Sequence, residues 1–262
     1  MGRDSRQKAA QVFLDAWRDA AVIEALPDEC RPSDAREGFA IQSEFVRLTG
    51  QKVAGWKIAA TSVAGQRHLD VSGPLAGRLL AGRMIEPGAL VPIARNRMRV
   101  VEPEFVFTMA RDLPPRRRSY STAEVMDAVA ALGPGLEIPD SRYAEFVGIG
   151  EELLLADNAC ACWFKPGPPA PAEWRDLDLA AHRVQLIRNG EPAGTGLGAN
   201  VLGDPRAALT WLVNDLGRFG EYLRGGQIVT TGTCAVPLPL EDGLEVTADF
   251  GPIGKLSARF EE

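Results

Sequence analysis

Between Ala10 and Ala21, the apolar residues Ala10, Phe13, Leu14, Trp17 and Ala21 fall at i, i+3, i+4, i+7 and i+11, the spacing of one helix face, and Pro27 stops the run. A second stripe, Ile41, Phe45 and Leu48, follows a candidate N-cap at Ser33 and closes at Gly50. Residues 1–50 therefore predict a helical segment. From Lys52 the pattern changes to short β-favouring runs separated by Gly and Pro: VAGWKIAA, VEPEFVFTMA, HRVQLIRNG, GQIVTTGT and LEVTADF. Residues 51–262 accordingly predict a largely antiparallel β body, with a hairpin turn at Asn189-Gly190.

Two helices are expected to interrupt that body. Ser121 and Glu124 form a capping box ahead of AEVMDAVAAL, and Asp204-Pro205 opens a stretch with Leu209, Leu212, Val213 and Leu216 on one side. RDLPPRRRSY reads as a solvated loop. GTGLG, Gly194 to Gly198, lacks the strand–turn–helix setting of a nucleotide site and reads as a flexible loop.

Charge narrows the function classes. The net charge is −6 and the basic residues are dispersed, so no footprint for nucleic acid or an anionic membrane is present. No apolar run approaches the ~20 residues of a membrane span, and MGRDSRQKAA lacks the apolar core of a secretory signal, so a cytoplasmic protein acting on a small molecule is expected. Cys30, Cys160, Cys162 and Cys234 read as reduced, buried thiols. With only His68 and His182 available, a histidine-based zinc site is disfavoured.

The candidate chemistry starts at VEPEFVF. Residues i and i+2 of a strand point the same way, so Glu102 and Glu104 place two carboxylates on one face. Like charges held that close call for a cation; the alternative is a pair of ordinary solvent-facing acids. Pro103 between them cannot donate a ladder hydrogen bond, which predicts an edge or a bulge. Glu137, on a very short strand framed by Gly133-Pro134-Gly135 and Pro139, can complete a three-carboxylate site, whose oxygen-only donors suit Mg²⁺ or Mn²⁺. Lys57 in VAGWKIAATS is either a surface lysine or a group that stabilises an enolate or moves a proton. Asp157, Asn158, Thr231 and Thr233 are polar groups able to orient a carboxylate or a water.

The ordered series GWKIAATS, VEPEFVFTMARDLP, LEIPDSR, LADNA, VLGDPRAALTWLVNDLGRFG, GGQIVTTGT and FGPIGKLSARF, from about Ala40 to the C-terminus, resembles the hydratase/decarboxylase branch of the fumarylacetoacetate hydrolase superfamily. The resemblance implies an α+β fold: a mixed β-sheet roll of the fumarylacetoacetate hydrolase C-terminal type, with an N-terminal helical extension. It also implies a homo-oligomer, with a pathway enzyme as a further candidate partner. Glu102, Glu104 and Glu137 would bind Mg²⁺ or Mn²⁺, and Lys57 would line the active site. The implied activity is that of a metal-dependent lyase on small unsaturated 2-oxo or 2-hydroxydienoic acids.

One segment departs from the hydratase pattern. Where hydratases of the branch carry an acid, this chain reads Gly73-Pro74-Leu75-Ala76-Gly77, and an apolar residue there is typical of the decarboxylases. Leu75 thus moves weight toward a 2-oxo diacid such as 4-oxalocrotonate. Acylpyruvate hydrolysis is a further alternative, but it needs a histidine–acid pair that neither His68 nor His182 supplies in recognisable form. A non-catalytic binding or assembly partner is the third alternative.

Overall fold

A computed structural model describes residues 1–262. The helical hairpin forms from α1 (Arg3–Asp19) and α2 (Ala35–Thr49). The first helix stops short of Ala21, because Ala20 adopts a left-handed conformation (φ 54°). The second is capped by Asp34, one residue later than Ser33: the Asp34 carboxylate accepts the Glu37 amide at 2.8 Å, while Ser33 donates to the Glu37 carboxylate. Gly50 closes α2 at φ 66°, the αL cap that glycine tolerates best. The stripes face each other, with Ala10 and Phe13 against Ile41 and Phe45, and share a core with Leu80, Tyr143 and Leu153 of the body.

The remaining helices are α3 (Val63–Leu69), α4 (Thr122–Met126), α5 (Glu151–Ala156) and α6 (Pro205–Leu216). The strands are β1 (Val53–Ala59), β2 (Leu75–Leu80), β3 (Val91–Pro92), β4 (Val100–Met109), β5 (Val129–Ile138), β6 (Trp163–Pro166), β7 (Arg183–Arg188), β8 (Glu191–Leu197), β9 (Ile228–Thr233), β10 (Leu238–Pro239), β11 (Glu245–Asp249) and β12 (Lys255–Glu261). One sheet runs β2-β1-β9-β4-β5-β6, with β10 also on β4; the other runs β3-β12-β11-β7-β8. Pairing is antiparallel except for β1 with β9 and β12 with β3, which makes this a mixed-sheet α+β fold. No helix is long and apolar enough to cross a membrane.

Several sequence expectations are corrected. The capping box at Ser121 forms, but α4 ends at Met126 and the chain joins β5 from Val129. Gly133-Pro134-Gly135 therefore lie inside a ten-residue strand rather than framing a short one. GTGLG is not a loop: it ends β8, whose hairpin with β7 turns at Asn189 and Gly190, both at positive φ. The acid-bearing strand β4 is central, between β9 and β5, and the effect of Pro103 is accommodated beside a register shift between Glu104 and Val106. The short helices α3 and α5 had no clear periodic signal.

Strand alternation gives the first sheet two different faces. Trp56, Ile58, Phe105, Phe107, Leu136 and Ile138 enter the main core together with Val246, Ala248 and Phe260 of the second sheet and Leu209 and Leu212 of α6. Each fully buried side chain of that size contributes roughly 1.5–3 kcal/mol. Lys57, Glu102, Glu104 and Glu137 alternate with those residues and fall on the opposite face. One face thus holds the fold together and leaves the other free for polar groups.

Asp157, at the end of α5, is buried and accepts from Ser141 Oγ at 2.6 Å and the Arg142 amide at 3.0 Å, yet its Oδ1 has no partner. Burial pushes its carboxyl up to about 7, against the opposing pull of those hydrogen bonds and of Arg142. A raised acid pKa means that the folded state holds a proton the unfolded chain has already released. Stability should therefore fall as pH rises from about 4 to about 7, by up to ~1.4 kcal/mol per pH unit. Urea unfolding at pH 5 and pH 7 tests this, and Asp157→Asn should flatten the slope; an equal slope in both proteins would mean that Asp157 is ionised in the fold.

Candidate metal and lyase site

The pairing of β4 with β5 sets Glu102 directly opposite Glu137, and Glu104 opposite Gly135. Glu104 and Glu137 are fully buried and Glu102 is half-buried, and one carboxylate oxygen from each lies within 4.8 Å of the others. Gly135 has to lack a side chain, since a Cβ there would sit 2.5 Å from the Phe164 ring and 2.6 Å from Val106. Glu104 Oε2 accepts from Thr230 Oγ1 and, at 2.8 Å, from the Gly232 amide. Gly232 stands at φ 91°, where a Cβ would lie 2.1 Å from Thr61 Oγ1, so only glycine can bring its amide to that carboxylate.

Lys57 completes the cluster. Its Nζ lies 3.1 Å from Glu137 Oε1 and donates to the Ala159 carbonyl at 2.9 Å. That carbonyl is aimed by Asn158, Ala159 and Cys160, three consecutive non-glycine residues at φ 54°, 50° and 59°. Such a left-handed run costs roughly 1–2 kcal/mol per residue. Asn158 offsets part of this by clamping β2: its Oδ1 accepts from the Arg78 amide at 2.7 Å and its Nδ2 donates to the Arg78 carbonyl at 2.9 Å.

Burial opposes the ammonium of Lys57, but Glu137, Glu102 and Glu104 outweigh it and hold the pKa above the ordinary lysine value. The carboxylates repel one another. Burial first, then Glu137, raises Glu102 to about 7 against the pull of Lys57, and burial with both neighbouring glutamates raises Glu104 well above the usual range. If all four groups are charged, three carboxylates and one ammonium leave −2 on the cluster. Glu104 Oε1 and both oxygens of Glu137 have no hydrogen-bond partner. Orphaned, converging oxygens whose fully ionised form carries −2 fit a hard divalent cation.

Above the cluster opens a cavity of about 710 Å³ whose wall includes Lys57, Glu102, Leu75, Thr233, His68 and Arg97. Leu75 packs there against Leu154 and Ala159, and Thr233 Oγ1 donates to the Ala235 carbonyl at 2.8 Å. The other expected polar groups are elsewhere. Asp157 and Asn158 do not line this cavity but hold the turn behind Lys57, and Thr231 is buried with its hydroxyl unpartnered, off the cavity wall. Arg97 and His68 were not singled out as substrate-facing groups. His68 rides on α3, whose N-cap at Ser62 was the one available signal.

Replacing Glu137 by Gln keeps its volume and removes one charge from the cluster. Calorimetric titration of Mn²⁺ into Glu137→Gln should show at least ~10-fold weaker binding than wild type, with the fold intact. Equal affinity in the two proteins would mean that the three acids do not hold a cation together.

No family model matches the chain. A 2-keto-4-pentenoate hydratase of Paraburkholderia xenovorans (strain LB400) is 31% identical over 264 residues, spanning 100% of this chain and 97% of the relative. The 4-oxalocrotonate decarboxylase of Pseudomonas putida G7, solved as a complex with magnesium and adipate, superposes with a TM-score of 0.89 at 26% identity, covering 99% of this chain and 98% of that one. A fumarylacetoacetate hydrolase family protein from Yersinia pestis CO92 shares the fold at a TM-score of 0.60 and 16% identity, covering 80% of this chain and 94% of that one. With a relative this similar along its whole length, the chain belongs to the hydratase/decarboxylase branch of the fumarylacetoacetate hydrolase superfamily.

Proposed function

We propose that the chain is a divalent-metal-dependent lyase acting on small unsaturated 2-oxo or 2-hydroxydienoic acids, with Mg²⁺ or Mn²⁺ held by Glu102, Glu104 and Glu137. The observation that carries this is the convergence of two buried carboxylates, one half-buried carboxylate and one buried lysine at the base of a cavity that is otherwise largely apolar. Relatives named as hydratases and a neighbour named as a decarboxylase support the same reaction class. The cation would supply Lewis-acid polarisation of the substrate's carboxylate and 2-oxo oxygens.

Lys57 does the rest of the electrostatic work in this reading. Its raised pKa keeps the ammonium charged at neutral pH, facing the region where a dienolate would accumulate negative charge, so it stabilises that charge and can deliver a proton to it. The Ala159 carbonyl accepts one of its N–H bonds, and the Glu137 carboxylate 3.1 Å away holds the ammonium beside the cluster. Leu75 and Thr233 shape the wall, while Asp157 and Asn158 position the backbone around the site. A cytoplasmic homo-oligomer acting on a small 2-oxo acid, with a pathway enzyme as a candidate neighbour, completes the proposal on the family likeness.

Decarboxylation is the second reading, favoured by one observation. At the position where an acid would serve water addition, Leu75 is buried among Leu154, Leu155, Ala159 and Cys160, in a patch that offers no acid.

Incubating purified protein and Mn²⁺ with 2-hydroxypenta-2,4-dienoate, 4-oxalocrotonate and an acylpyruvate, and weighing the products, separates water gain, CO₂ loss and hydrolysis; no product from any of them would sink the lyase assignment. Lys57→Met should lower kcat by ~10²-fold or more with a smaller change in KM, since it removes a group engaged in the reacting state. An unchanged kcat would remove Lys57 from the chemistry. Leu75→Asp should raise hydration of the dienoate if an acid is what the site lacks, and should lower turnover of 4-oxalocrotonate if the chain is a decarboxylase. With the melting temperature confirming folded protein, no change on either substrate would place Leu75 outside the reacting region.

A further inference from the structure

Four side chains on the cavity wall carry acidic or basic groups: Lys57, Glu102, His68 and Arg97. Lys57 and Glu102 belong to the carboxylate cluster. Arg97 does not, and its charge is not balanced locally. Its guanidinium touches only the Ala144 carbonyl, at 3.4 Å, and forms no ion pair.

The segment carrying Arg97 is nonetheless firmly built. Buried Asp140 accepts the Arg97 amide at 2.9 Å and the Met98 amide at 3.2 Å. Asn96, also buried, donates to the Pro139 carbonyl at 2.9 Å and accepts the Arg99 amide at 2.6 Å. These bonds tie the segment to the residues just beyond Glu137 on β5. The negative charge of Asp140 is taken by Arg142, so Asp140 anchors the backbone of Arg97 without neutralising its side chain. Arg97 precedes Glu102 by five positions, which keeps their Cα atoms within roughly 18 Å even for fully extended chain.

An exposed cation fixed by its backbone, without an ion pair and on the wall of the same cavity as Glu102, has the chemistry of a carboxylate receptor. We infer that Arg97 binds a second carboxylate at the far end of the substrate, so that the chain selects 2-oxo diacids over monoacids of equal length. This rests on the proposed lyase reading and specifies its substrate class. His68 on α3, edge-on to Phe146, lines the same wall and offers ring nitrogens for hydrogen bonding.

Binding of unreactive saturated analogues tests this without dependence on turnover. Calorimetry of the Mn²⁺-loaded protein should show 2-oxoadipate binding about tenfold more tightly than 2-oxohexanoate, the gain of one charge-assisted hydrogen-bonded pair. Arg97→Met should abolish that preference while leaving 2-oxohexanoate affinity within about twofold, and Arg97→Lys should retain part of it. The monoacid is the internal control for folding, because it needs the same metal site. Equal binding of both acids to wild type, or equal weakening of both by Arg97→Met, would overturn the assignment of Arg97 and leave the lyase reading standing. Failure of wild type to bind either acid would overturn both.

Discussion

Three carboxylates converging within 4.8 Å of one another, two of them fully buried and opposed by a single ammonium, form the constraint on which the rest of the molecule turns. Taking an unpaired carboxylate out of water costs several kcal/mol, and Glu104 and Glu137 are both fully enclosed. The cluster cannot be a source of stability for the metal-free chain. What sustains it is the reverse side of the same strands, where Trp56, Ile58, Phe105, Phe107, Leu136 and Ile138 enter the large core shared with the second sheet. Strand alternation couples the two: Lys57 sits between core residues Trp56 and Ile58, Glu137 between Leu136 and Ile138, and Glu104 just before Phe105.

The second requirement is direction. A lysine side chain is flexible, and its charge is useful only if its N–H bonds point at the cluster. Here the left-handed turn at 158–160 supplies the Ala159 carbonyl, and the turn is held by a chain of contacts running to the N-terminal helices. Asn158 grips the backbone of Arg78, and the Arg78 guanidinium lies 4.5 Å from the Phe39 ring and 4.7 Å from the Trp56 ring. Gln42 accepts from Arg78 and donates to the Ala76 and Leu155 carbonyls. Burial lowers Arg78 to about 10, partly offset by Glu221, which still leaves it charged at neutral pH. The helical segment 1–50 is thus continuous with the positioning of Lys57 through α2.

That continuity explains which features could be read from sequence. Glu102 and Glu104 were legible because a two-residue period needs no tertiary information, and the stripes on α1 and α2 were legible for the same reason at a period of 3.6. The partnership of Glu137 with Glu102 depends on the register of β4 and β5, which the glycine–proline run in β5 obscured by looking like a boundary. Asp157 and Asn158 have the polarity of substrate contacts but lie off the cavity wall, hydrogen-bonded to Ser141, Arg142 and Arg78, a placement set by where α5 ends. Arg97 was illegible because its significance lies in what it lacks: no local pattern reveals that the acid holding its backbone is neutralised by a different arginine.

The choice between adding water and losing CO₂ then reduces to which groups on the wall can move a proton. Burial pushes the Cys160 thiol up to about 12 and raises Cys234 as well, so neither is a proton donor of useful strength or a thiolate at neutral pH. Glu102 is committed to the carboxylate cluster, and the guanidinium of Arg97 offers donors but no acceptor. Lys57 and His68 remain. Hydration needs one group to protonate carbon and another to direct water, whereas decarboxylation needs stabilisation of the dienolate and one later proton. With Leu75 and its apolar neighbours occupying the wall where a second acid would stand, the protein's own groups meet the simpler requirement more completely. A diacid held at one end by the cation-binding glutamates and at the other by Arg97 would lie along that apolar wall; loss of CO₂ would leave its electron pair on the dienolate, and the later proton would remove that charge.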